Sequence, residues 1–287
     1  MTTLTKEFGY MLLMFMPVGA ILLYFYRASR KEKAAAVAPF TELQRRPAGE
    51  SNRLRVEEFD ERIDPWLVVL TTIPILLALS LTLLKPSWAV VITFFLISAI
   101  VSAVAQRVLS PLIRKRAAYR LGFHGERYVA EELNQLMADG FHVFHDVPFG
   151  NYNMDHVLVG PTGVFVIETK AKRKPVTRGE KKYQVVFDGK TLQFPHGQDT
   201  AALDQVERNK QTLSKWLSSA TADQIKAEGI VTIPGWYVER TGQSNISILN
   251  PKEIRTKIIT DNRSPLTPEQ IQRACHQLEE KCKLPVS

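Results

Sequence analysis

The chain has 287 residues and 45% hydrophobic content, enough for one or two domains, and its formal charge of +8 raises the question of a nucleic-acid partner. Charge alone does not answer it. Much of the excess flanks apolar runs, in Arg27, Arg30, Lys31 and Lys33 and again in Arg107, Arg114, Lys115, Arg116 and Arg120, while residues 121–287 are nearly balanced. Cys275 and Cys282 cannot pair with each other: they are seven apart on one predicted helix, about 10 Å along its axis and beyond disulfide reach, which points to thiols in a reducing compartment.

The first apolar run, residues 8–26, carries no charge and is long enough for a hydrocarbon core. Lys6 and Glu7 precede it and Tyr24, Phe25, Tyr26 and Arg27 close it, without the small-residue cleavage site of a signal peptide, so it reads as a retained membrane helix. The runner-up has it lying in the interface. Two more charge-free runs, 65–84 and 86–106, are separated only by Lys85 and predict a helical hairpin, with Trp66 and Trp88 near the headgroup level. Three crossings put both basic clusters, and the large C-terminal domain, in the cytoplasm. The acidic residues Glu57, Glu58, Asp60, Glu61 and Asp64 run against this orientation, but acids contribute little to the rule. The polar connector 27–64 is assigned no chemistry and reads as a loop near anionic lipid. Residues 1–106 thus form a membrane region and 107–120 a basic linker helix.

Beyond it, Tyr128, Val129, Leu133 and Leu136 recur at helical spacing and predict an amphipathic helix packed on a sheet. Glu126, in its first turn, suits the helix dipole. Residues 141–147 alternate as a strand. His142, His145 and His156 invite a zinc site, but His142 and His145 are three apart and so face opposite sides of a strand.

Two β-branched runs, 157–159 and 164–167, flank Gly160, Pro161, Thr162 and Gly163 and predict a tight hairpin. Asp155 stands at its mouth, and Glu168 and Lys170 project together from the second strand. Two carboxylates at one end of a hairpin are hard ligands suited to Mg²⁺ or Mn²⁺, and a lysine beside them can hold or deprotonate an attacking water. This is phosphodiesterase chemistry, although the same residues also make a solvated hairpin end with an ion pair.

The basic run 171–182 reads equally as a solvated loop or as phosphate contacts. Asp188, Gly189 and Lys190 mark a second hairpin. Residues 199–217 predict a helix with Leu203, Val206, Leu213 and Leu217 on or near one face. Strands follow near 229–238 and 246–249, and Thr267, Pro268 and Gln270 open a final helix within 256–287.

Gly122, Phe123, His124, Gly125 and Glu126, the pair Asp155 and His156, the turn Gly160, Pro161 and Gly163, and Ile167, Glu168, Thr169 and Lys170 together resemble the nuclease-related domain (NERD) family, a branch of the PD-(D/E)xK nuclease superfamily, over about residues 121–255. The resemblance implies an α/β fold, a restriction-endonuclease-like mixed central sheet flanked by helices. It also implies Mg²⁺-dependent phosphodiester hydrolysis, with nucleic acid, DNA first, as partner beside the lipid bilayer. Asp155, Glu168 and the Thr169 carbonyl would hold the metal and Lys170 the water, with Glu126 and Gln205 as supporting ligands or orienters. The alternative is a non-catalytic membrane protein that uses such a domain to bind nucleic acid or a protein. A signalling or transport component ranks below both, since the apolar runs hold no charge to mark a path.

Overall fold

Gly49, in the left-handed region at φ +75°, turns the chain into a helix that starts well before the second apolar run. The computed structural model describes residues 24, 27, 45–83, 86–175 and 183–283. The first apolar run, apart from Tyr24, and residues 176–182 of the basic run lie outside the described residues. From Arg45 onward the described residues belong to one compact unit.

Helix α1 (Glu50–Leu83) and helix α2 (Trp88–Asn134) form the expected hairpin. Phe59 and Ile63 of α1 bury against Ala105 and Leu109 of α2. Phe59 and Tyr119 stack at 5.6 Å, and Arg116 bonds to both carboxylate oxygens of Asp60. Further along, Val68, Ile75, Ile92, Phe95 and Ile100 face outward. Only 6% of the most apolar window in each helix is buried, unlike the core helix of a soluble protein, so these two helices are long and apolar enough to cross a membrane. Three were expected; two candidates are described. The connector expected as a loop is helical from Glu50, where Arg53 pairs with Glu50 and Glu57. Nor is there a break between linker and domain: α2 runs unbroken from Trp88 through Pro111 to Asn134.

A 3-10 turn (Gln135–Asp139) leads into β1 (His142–Phe149), β2 (Tyr152–Gly160) and β3 (Gly163–Thr169), an antiparallel meander whose second turn closes on the predicted glycines, Gly160 pairing with Gly163. Strands β4 (Gln184–Phe187), β5 (Leu192–Phe194) and β6 (Gly197–Asp199) begin a smaller second sheet, and helix α3 (Ala201–Thr221) returns the chain to β7 (Ala227–Thr232), parallel to β3. Strand β8 (Tyr237–Arg240) pairs with β4, and β9 (Ser247–Leu249) with β7. Helices α4 (Pro251–Ile259) and α5 (Pro268–Cys282) each open with a capping box, the second made by Thr267 and Gln270 as predicted. The central sheet therefore runs β1-β2-β3-β7-β9, mixed as expected.

Strand β3 is buried along its whole length, so its alternate residues serve two cores. Val164 and Val166 pack with Val206 and Leu213 of α3 and with the second sheet; Phe165 and Ile167 pack with Val129 and Leu133 of α2 and Ile254 of α4. Tyr128, expected on the packed face of α2, is instead 40% exposed, because the helix already meets the sheet through Val129 and Leu133. Cys275 and Cys282 are free and buried, as their spacing required.

Candidate active site

The β2–β3 register pairs His156 with Ile167, and one further step sets Asp155 opposite Glu168. Opposed residues on antiparallel strands share a face, so both carboxylates point the same way. The backbone N–H of Thr169 donates to Asp155 Oδ2 at 2.7 Å, fixing that side chain against the end of β3.

Glu126 arrives from α2, and two glycines allow it. A side chain at Gly125 would meet Ala171 Cβ at 2.6 Å, so its absence lets α2 close on the end of β3. A side chain at Gly122 would meet Asn52 Nδ2 at 2.9 Å, so α1 can also close on α2. Through that second approach the Asn52 amide donates to Glu126 Oε1. Glu126, Asp155, Glu168, Thr169, Lys170 and Gln205 all line one cleft of about 600 Å³, together with Asn52 and Arg55 of α1.

The electrostatics of the cleft are unfavourable to its own charges. Burial first, and then the charges of Asp155 and Asp146, push Glu126 up to about 9, against the Asn52 hydrogen bond. Burial and the Asp146 charge push Asp155 up to about 7, opposed by the Thr169 N–H and Lys170. Glu168 lies well above the usual carboxylate range, through burial and then Asp155, with Lys170 and Arg208 opposing. Among the described residues, Glu126 Oε2 and Glu168 Oε2 are buried without any hydrogen-bond partner. Buried acceptors of this kind are costly unless something positive answers them, and oxygen donors facing one cleft fit a hard divalent cation. Among the described residues no group of three or more His, Cys, Asp or Glu side chains is arranged to hold an ion alone. A cation here would rely on two or three carboxylates, the Thr169 carbonyl and water, which is the way Mg²⁺ is usually bound.

Lys170 is engaged: its Nζ lies 3.5 Å from Asp199 Oδ2, and Lys172 Nζ lies 2.8 Å from the same oxygen. His145 and His156 face each other across β1 and β2 with Nδ1 atoms 2.9 Å apart, and His156 Nε2 lies 3.2 Å from Thr169 Oγ1. Burial holds His145 down to about 4, and burial with His145 beside it holds His156 well below its ordinary value. His142 is exposed and apart from them.

Three contributors have no local signature in the sequence. Asp146 is 1% exposed and at φ +48°, held by Arg46 Nε at 2.7 Å, Ser51 Oγ at 2.6 Å and Asn153 Nδ2 at 3.1 Å. Asn52 comes from the connector to which no chemistry was assigned. Asp199, expected to open a helix, closes β6 and pairs both lysines. The available hint to Asn52 was Gly122, whose missing side chain marks a close approach.

Residues 121–234 match the family model of the nuclease-related domain, so the chain carries a NERD domain there. The match stops short of the 255 expected, yet β9 and α4 continue the same sheet and core beyond it. Neither the curated proteins nor the solved structures contain a match to this chain.

Proposed function

We propose that this chain is a membrane-anchored nuclease that hydrolyses phosphodiester bonds with the help of Mg²⁺ or Mn²⁺. The observation that carries the reading is a set of carboxylates, Glu126 and Glu168 buried with an orphaned oxygen each and Asp155 part-buried, gathered beside Lys170 in one cleft of a nuclease-related domain. Asp155, Glu168 and the Thr169 carbonyl would bind the cation, which supplies charge for the developing phosphorane and a more acidic water. Lys170, whose amine is paired with Asp199, would orient the attacking water. Glu126, held by Asn52, orients the ligand set, and the Gln205 amide binds substrate. The membrane part of the proposal rests on α1 and α2. Because α2 continues from its apolar stretch through Arg107, Arg114, Lys115, Arg116 and Arg120 into the domain, the domain sits on the basic, cytoplasmic side.

Since Asn52 and Ser51 reach the site from α1, the test uses the full chain in detergent. Metal-dependent cleavage of DNA or RNA is expected, lost with EDTA and lost in Glu168→Ala and Lys170→Ala. If both variants cut as well as the parent, the assignment is wrong. The ion pair that engages Lys170 favours one second reading, a domain that binds nucleic acid without cutting it. Binding with no turnover under any metal would select that reading.

A further inference from the structure

A second cavity of about 630 Å³ adjoins the acid cleft and shares Asn151, Tyr152 and Gln205 with it. Its volume is that of an ordinary small-ligand site, and its chemistry is the reverse of its neighbour's. One wall is a stripe along α3, Gln205, Arg208, Asn209, Thr212 and Lys215, at the spacing that keeps residues on one helix face. None of the lining residues is acidic, and two are cationic. Asn209 is 2% exposed and its Nδ2 has no acceptor, so a buried donor faces the cavity unanswered. A buried amide N–H of this kind calls for an oxygen. Tyr152 also lines the cavity: the residue is 39% exposed, and its ring, stacked on Phe149 at 6.4 Å between centroids, keeps a second face for a base.

We infer that this cavity is a subsite for the nucleotide next to the scissile bond, on a single strand, with its phosphate on Arg208 and Lys215, an oxygen on Asn209 Nδ2 and its base against Tyr152. A strand laid from this cavity into the acid cleft passes over Gln205, which lines both. The identity of the polymer and the place beside a scissile bond rest on the nuclease reading; the anion site itself does not.

The test is binding without cleavage: fluorescence anisotropy of the full chain in detergent with a short labelled oligothymidylate, in EDTA. Arg208→Ala combined with Lys215→Ala is expected to weaken binding roughly 30- to 100-fold and to flatten its salt dependence by about 0.7 in log–log slope, one single-strand phosphate contact. Lys252→Ala combined with Lys257→Ala, an equal loss of charge on α4, is the control and is expected to change binding by less than about 3-fold. Equal loss in both double variants, or none in either, overturns the subsite. A duplex of the same length that binds as tightly, with the same loss, overturns the single-strand assignment. A chain that never cleaves under any metal, yet loses oligothymidylate in the first double variant, removes the nuclease reading, and with it the place beside a scissile bond, and leaves a nucleotide-binding site on Arg208 and Lys215.

Discussion

Asp155 and His156 are neighbours on β2, one part-buried at the cleft and the other fully buried, and their fates differ. His156 is fully buried, yet its two ring nitrogens find His145 and Thr169, so the pair closes on itself. The carboxylates around Asp155 do not close: each raises another's affinity for protons, and two oxygens are left over. A buried polar group that is satisfied within the chain belongs to the architecture. One that is left unsatisfied, among like charges, points to something the chain is built to receive.

The comparison breaks most sharply at Glu168. Changing Glu168→Gln keeps the shape and removes the charge, and cleavage is expected to fall by about three orders of magnitude. In EDTA the same variant is expected to melt higher than the parent, because a desolvated carboxylate has gone. The sign follows from the raised values of Asp155 and Glu126. Groups whose folded values lie above their unfolded ones contribute stability that is full below about pH 4 and is lost as pH rises, through about 7 for Asp155 and about 9 for Glu126. Millimolar MgCl₂ should therefore raise the melting temperature more at about pH 8 than at about pH 5.5, where protons compete for the same oxygens. A melting temperature indifferent to MgCl₂ at both values would remove the cation from the site.

Asn52→Ala sharpens the comparison by removing a support of Glu126 without touching the hairpin. An outer hydrogen bond of this type is expected to be worth about 10-fold in cleavage rate or cation affinity; an unchanged rate would make α1 a bystander. The smallest effect on activity is expected on the histidine side. His156→Leu leaves His145 and Thr169 Oγ1 unpaired and is expected to cost about 1–3 kcal/mol of stability, read by denaturant titration, with less than about a 10-fold change in rate. His145 sets the pH dependence here. Its folded value of about 4 lies below the ordinary 6.5, so its contribution is full above about pH 6.5 and drains as pH falls toward 4. The slope should shrink in His145→Phe.

Much of this contrast was readable from local pattern. The β-branched runs, the turn at Gly160 and Gly163, and the two-residue alternation that keeps Glu168 and Lys170 together are short-range facts, and the strand register followed from them. What was not readable depends on separations of 74 to 100 residues: Asn52 to Glu126, Ser51 and Arg46 to Asp146. No periodicity reports such pairs. The second cavity escaped for the same reason, since Arg208 and Lys215 read on their own as the solvated side of an amphipathic helix.

Helix α2 carries one more consequence. The same unbroken rod holds outward-facing apolar side chains at one end and Glu126 at the other, about 30 Å of axis from the end of the apolar run at Gln106. Leaning such a rod by a few degrees carries its acid tip a few ångströms, the difference between gripping an ion and missing it. On the proposed membrane-anchored reading, lipid thickness or tension, acting where no nucleotide reaches, would set the aperture of the carboxylate cleft.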